Sequence, residues 1–374
     1  MRALLIGAGH AHLAVVRHAA SLRARGVELC LISPPLFRYS GLATAVLSGA
    51  LPPVAGEIDV AKLAAEFGVT FHASEVTDID RDGRLVRLQD GTTRPYDVLS
   101  LNIGSQTADP AGLAANANVW TVKPLSRLLD LRQRLAQDMA RTGQCPALVV
   151  AGTGQAGFEV SAALAGLCER SGVVPRISLA GPTAADAWAP PSASRQLRSE
   201  LERRGITLVG SAVTARARDT CRLASGAEIA CDILVLATGL IAPDLVRRLG
   251  LPVDLRGRLL TTDRLQTIGD ARVFAAGDCA VLASDRRPCA GVFGVRAAPV
   301  LAFNLGATAQ ARPLKVYRPQ STWLSIMDLG DGTGLALRGG QWWLGRSALS
   351  LKRSLDLGFI KRMSASPARA SGQP

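Results

Sequence analysis

The feature that most constrains this chain is a duplication: two glycine loops begin 145 residues apart, at Gly7 and Gly152. Each follows a short apolar run and opens a stretch with helical spacing. "ALLIG" and "ALVVAG" are continuous apolar segments of the kind buried in parallel sheets. "HLAVVRHAASLRARG" carries 3.6-residue periodicity up to Gly26, and "VELCLIS" follows as a second strand, so residues 1–33 form one βαβ unit. The second loop repeats the order, with the strand "RISLAG" behind its helix. Two such units in one chain predict an α/β protein with two Rossmann-like nucleotide-binding domains. Asp82-Gly83 predicts a hairpin turn between "TFHASEVTDID" and "LVRLQDGTTRPYDVLSLNIG".

The two loops differ in completeness. Gly152-Thr153-Gly154-Gln155-Ala156-Gly157 is a full G-x-G-x-x-G. Its glycines serve, in order, a tight turn, close backbone approach to a pyrophosphate, and close packing of helix on strand. The helix start then presents free N–H groups and a positive dipole to phosphate. The first loop supplies Gly7 and Gly9, but His12 stands at the third position and is expected to push the helix slightly from its strand. Ser33 occupies the place of the acid that would hold a ribose; its hydroxyl is a weaker substitute. After the second loop the corresponding place falls at Ala180-Gly181, neither an acid for NADH nor an arginine for NADPH, so both nucleotides stay candidates.

Composition narrows the class. The chain has 374 residues, enough for two or three domains, and at 48% hydrophobic and 20% charged it is globular rather than disordered. No apolar stretch approaches the roughly 18 uncharged residues of a membrane span, and the apolar start reads as a buried strand rather than a signal peptide. The net charge of +13 favours anionic partners, yet no basic stripe interleaved with aromatics points to nucleic acid. Seven scattered cysteines form no CxxC and no metal spacing, and His10 and His12 have no ligand partner in sequence, so no metal is expected and the location reads as cytoplasmic. Cys279 and Cys289 bracket a loop beside the expected cofactor, and inert buried thiols are the expectation there.

"DILVLATG" and "RVFAAGDCA" then occur about 40 residues apart. With the glycine loops, they make residues 1–310 resemble the two-dinucleotide-binding flavoproteins of the glutathione-reductase-like (pyridine nucleotide-disulfide oxidoreductase) superfamily. Within it the chain is similar to type II NADH dehydrogenases. It is closer still to the flavoprotein module fused ahead of selenide, water dikinase, through "GAGHAHLAVVR", "LISPPLFRYSGL", "YDVLSLNIGS", "VKPLSRLL", "CAGVFGVRAAPVLAFNL" and "YRPQSTWLSI". In that pattern His10 and His12 are regular members. No kinase segment is expected here, so a role in selenium metabolism does not transfer.

The resemblance implies an FAD domain at 1–110 and 258–310, an NAD(P)H domain at 111–257, and a small C-terminal domain at 311–374. It places FAD at Gly7, Gly9, His10, Ser33, Val76, Gly104, Gly277, Asp278 and Val292, with Asp278 on the ribityl chain and the helix from Val292 near the flavin. Tyr39 and Ser40, with Gly41, are candidates for the flavin's other face. NAD(P)H is placed at Gly152, Gly154, Gly157, Gly239 and Glu159, the last an acid on the nicotinamide side. The cysteine pairs of disulfide and thioredoxin reductases are absent, the span from Ser33 to Pro53 holding none. The implied chemistry is flavin-centred, with no obligatory catalytic side chain: hydride passes from NADH or NADPH to FAD and electrons pass to an acceptor.

A quinone is the expected acceptor. "GGQWWLGRSALSLKRSLDLGFIKRM" joins Trp342-Trp343 to a helix with Leu351, Leu355 and Phe359 on one stripe, flanked by Lys352, Arg353, Lys361 and Arg362. Such a helix suits peripheral contact with an anionic membrane face, or packing on the protein's own core. The tail "SPARASGQP" is expected to fray. Two alternatives stand beside the quinone reading: another acceptor, a sulfur or selenium species or a protein, and a redox sensor without turnover. Oligomeric state is not legible.

Overall fold

The computed structural model describes residues 1–182, 188–285 and 287–364; the expected frayed tail and most of the segment after Gly181 lie outside the described residues. The first sheet is built on five parallel strands: β1 (Arg2–Ile6), β2 (Glu28–Ser33), β3 (Thr70–Ala73), β4 (Val98–Leu101) and a later one, Asp270–Ala275. Their order is Asp270–Ala275, β4, β1, β2, β3, so the chain reverses direction across the sheet beside β1. Three short strands from 259 to 282 extend the outer edge. Helix α1 (His10–Val16) follows β1.

The second sheet is also parallel. It contains β5 (Val119–Thr121), β6 (Leu148–Ala151), β7 (Ile177–Ala180), β8 (Ile206–Val209) and β9 (Ile233–Leu236), ordered β5-β9-β6-β7-β8. Helix α2 (Gln155–Arg170) runs back from β6. β6 and β9 are buried at every position, as strands covered on both faces must be. With β10 denoting Asp270–Ala275, helix α3 (Gly291–Ala309) returns across the first sheet and packs on α1. The chain ends in an antiparallel sheet, β11 (Leu324–Asp328), β12 (Gly334–Arg338) and β13 (Gln341–Gly345), followed by α4 (Arg346–Met363).

Both βαβ units thus form where the apolar runs and glycines place them. The hairpin turn at Asp82-Gly83 is present, joining Val76–Asp80 to Leu85–Leu88, while Thr70–Ala73 leaves that hairpin and joins the parallel sheet. The helix after the first loop is not continuous: it stops at Val16 and resumes over Ala19–Arg23. One helix among the described residues, α3, is long and apolar enough by length and composition to cross a membrane, although Arg296 keeps it from being an uncharged run. Half of it lies inside the fold, where Ala297, Ala298, Leu301 and Leu305 join the core over β1.

Candidate functional site

The first loop leaves β1 at Gly7, whose φ of +83° is left-handed and whose missing Cβ would sit 2.7 Å from the Asn102 carbonyl. Gly9 caps α1, and a Cβ there would collide with the Asn102 carboxamide. His12 is fully buried beneath the loop. Its Nδ1 lies 2.6 Å from the Gly7 carbonyl and its Nε2 2.8 Å from Ser100 Oγ. The residue expected to wedge the helix away instead fastens the loop. Burial holds its pKa down at about 4, so the ring is neutral at neutral pH.

Three segments converge on this loop. After β4, Gly104 turns at φ +74° with open space where a Cβ would be, and Ser105 donates to Asp278 Oδ2 at 3.0 Å. After β10 comes the turn Gly277–Cys279. The Asp278 carboxylate caps no helix and is bonded across the cleft, leaving acceptor capacity for a ligand hydroxyl. Helix α3 begins at Gly291, against His10, with no side-chain cap and no acid in its first turn, and Val292 is its second residue. The structure therefore brings Gly7, Gly9, His10, Gly104, Gly277, Asp278 and Val292 to one edge of the sheet, at the carboxyl ends of β1 and β4 where strand order reverses. Ser33 ends β2, buried, with its hydroxyl donating to the Pro34 carbonyl at 2.8 Å. Val76 lies in the hairpin and packs on the core of that sheet.

Cys279 is fully buried, its thiol pushed by desolvation to about 12, and Cys289 is also shifted upward by burial, so neither is a reactive thiolate. The fold pairs cysteines that sequence spacing did not: Cys145 and Cys168, the latter on α2, place their sulfurs 3.3 Å apart.

The second loop separates its glycines by role. Gly152 has φ +118°, and a Cβ there would collide with the Ala237 carbonyl, while one on Gly157 would collide with the Gly152 carbonyl. Gly154 has nothing within 4 Å of its missing Cβ, and Gly239, at φ +105°, is open too. α2 has no side-chain cap at its start. An unfilled cradle in front of uncapped amides fits a phosphate. On the first loop the fit is narrower. The Gly9, Ala11 and His12 amides are taken by Asn102, and the Ala8 and His10 amides meet no protein acceptor among the described residues.

The remaining candidates meet the C-terminal helix. Tyr39 stacks on Phe359 at 4.8 Å and donates to Asp356 Oδ1 at 3.0 Å. His10 sits edge-on to Tyr39 and Phe37, and burial lowers its pKa to about 4. Ser40 opens the short helical turn between Tyr39 and Ala43, and Lys352 donates to the neighbouring Gly41 carbonyl at 2.6 Å. Glu159 does not face solvent. Its Oε1 accepts from Thr44 Oγ1 and from the Asp328 amide, both at 2.9 Å, and desolvation raises its pKa against the opposing charge of Lys352.

Fold and cleft define a two-nucleotide α/β oxidoreductase. The chain belongs to the pyridine nucleotide-disulphide oxidoreductase family, whose profile matches residues 1–302 and whose cofactors are FAD and NAD(P)H. An NADH dehydrogenase-like protein of Mycobacterium tuberculosis is 34% identical over 229 residues, 58% of this chain and 57% of that protein. The chain thus spans little more than half the length of that relative. The demethylphylloquinone reductase of Synechocystis is 28% identical over 308 residues, 78% of this chain and 76% of that one. Among solved structures, the sulfide:quinone oxidoreductase of Aquifex aeolicus matches with a TM-score of 0.81 at 17% identity, covering 97% and 91% of the two chains.

Proposed function

We propose that this chain is an NAD(P)H-dependent flavoprotein reductase whose electron acceptor is a quinone, with the FAD portion at 1–110 and 258–310 and the NAD(P)H portion at 111–257. The observation that carries the acceptor is the likeness, over more than three quarters of the chain, to a protein named a demethylphylloquinone reductase. α4 supports it: Leu351 and Leu355 are exposed on one stripe and Leu357 on another, with Lys361 and Arg362 beyond them, apolar and basic groups suited to an anionic, quinone-bearing membrane surface.

FAD, held at this cleft, would supply the two-electron redox chemistry between nicotinamide and acceptor. The chain's own residues bind and orient. Ala8 and His10 present amides to a pyrophosphate, and Asp278 presents its free oxygen to a ribityl hydroxyl. The start of α3 directs its dipole at the anionic side of a flavin. Gly154 leaves room for the second pyrophosphate, and the left-handed turn at Gly239 keeps backbone clear of it. Tyr39 and Phe359 close the end beside His10 and exclude water there.

The test is anaerobic mixing of the yellow protein with NADH or NADPH, followed by a soluble quinone. Bleaching by one nucleotide and recolouring by quinone is expected. Bleaching without recolouring would replace the acceptor, and no bleaching by either nucleotide would remove the enzyme reading.

A further inference from the structure

We infer that Asn102, the residue that follows β4, is the positioning residue of the FAD cleft, a single carboxamide that sets both the glycine loop and the Asp278 turn. The inference rests on the FAD reading above. Asn102 is 3% exposed and uses each of its polar groups. Its Oδ1 accepts from the Ala11 amide at 2.9 Å and the His12 amide at 3.2 Å, two of the first-turn donors of α1. Its Nδ2 donates to the Ala276 carbonyl at 2.6 Å, immediately before Gly277-Asp278. Its backbone carbonyl accepts from the Gly9 amide at 3.1 Å, and its own amide donates to Ile6 at 2.9 Å.

The neighbouring glycines are shaped to this side chain: a Cβ on Gly9 would collide with Oδ1, and one on Gly277 would collide with Nδ2. Ser100, two residues earlier on the same strand, holds His12 from below. In the full motif the third glycine lets a helix approach its strand. Here Ser100 and Asn102, both from the neighbouring strand's line, draw the helix in by hydrogen bonds instead. The same carboxamide leaves the Ala8 and His10 amides as those directed at phosphate.

The carboxamide is polarised, with its acceptor toward α1 and its donor toward Ala276. An isosteric carboxylate keeps the first interaction and turns an oxygen on the Ala276 carbonyl, which repels it when ionised and accepts from it when protonated. The titratable groups on the packed elements are His10 and His12 of α1 and Asp278 and Cys279 of the turn. Both histidines stay neutral above pH 5 and Cys279 stays a thiol throughout.

The experiment titrates FAD into apoprotein of wild type and Asn102→Asp from pH 5 to pH 9, following flavin absorbance, with circular dichroism recording the fold. Asn102→Asp is expected to bind FAD about tenfold more weakly than wild type at pH 9, the ratio shrinking by about threefold or more at pH 5. A ratio flat to within about threefold across that range, or circular dichroism showing the variant unfolded at every pH, overturns the positioning role. A wild type that takes up no FAD overturns the cofactor reading itself, and this inference with it.

Discussion

Gly154 and Gly157 share one motif for opposite reasons. Gly157 is a packing requirement, since any side chain there runs into the Gly152 carbonyl, whereas Gly154 faces open space that only a ligand would fill. Gly157→Ala is therefore expected to destabilise the folded protein by about 1–3 kcal/mol, in the range of an overpacked core. Gly154→Ala should leave the melting temperature within about a degree of wild type and raise KM for NAD(P)H about tenfold, with FAD content unchanged. Equal melting losses in the two variants would refute the division of roles. These glycines were legible from sequence because the motif is local: loop, turn and helix start lie within six residues. Asn102 was not legible, because its partners lie 91 and 174 positions away and its side chain matches no spacing rule. His12 was read as a defect for the same reason, its hydrogen-bond partner Ser100, whose hydroxyl donates to the neutral ring's Nε2, being 88 residues distant.

Along a single element, α4 shows where periodicity stops being informative. The pattern Leu351, Leu355, Phe359 predicts one apolar face, and the helix forms there, but the stripe splits. Phe359 turns inward onto Tyr39 and His10, while Leu351 and Leu355 stay exposed. The inward face is Lys352, Asp356, Phe359 and Met363, all buried, because the Lys352–Asp356 ion pair at 3.0 Å neutralises the charges that hydropathy scores as surface. Arg353 likewise turns in, to the buried Asp328 carboxylate at 3.0 Å. Lys352 and Arg353 are thus unavailable to lipid, and deleting the helix would strip partners from Tyr39 and Gly41 as well. Substitution is the cleaner test. Replacing Leu351, Leu355 and Leu357 together with serine is expected to lower co-sedimentation with anionic vesicles about tenfold while leaving the melting temperature unchanged, since each leucine is already exposed. Undiminished vesicle binding would take the helix out of any membrane contact.

Across the whole molecule, the two sheets and the C-terminal piece meet on polar contacts as well as apolar ones. Thr44 comes from the segment after β2, Glu159 from α2, Asp328 from β11, and Lys352 and Arg353 from α4; the links between them run Thr44–Glu159–Asp328–Arg353 and Gly41–Lys352–Asp356–Tyr39. The family resemblance, not any spacing rule, put Glu159 on the nicotinamide side, and the residues that bury it lie 115 positions before and 169 after. Burial raises its pKa, with the backbone and Thr44 hydrogen bonds and Lys352 pulling the other way. The sign follows from linkage. A carboxyl that binds its proton more tightly folded than unfolded stabilises the fold at low pH, and that stability is lost as pH rises through the displaced folded pKa. Glu159→Gln keeps an oxygen for both the Thr44 hydroxyl and the Asp328 amide and removes the titration. Its melting temperature should accordingly gain on the wild type's as pH rises from the ordinary glutamate range toward neutrality. Glu159→Ala, which leaves both donors unmatched, should cost about 2–4 kcal/mol at low pH and less as the wild type loses stability toward neutrality. A difference between Glu159→Gln and wild type that does not change with pH would mean that Lys352 balances the desolvation of Glu159, and that the seam joining the sheets holds an ion pair rather than an acid inclined to keep its proton.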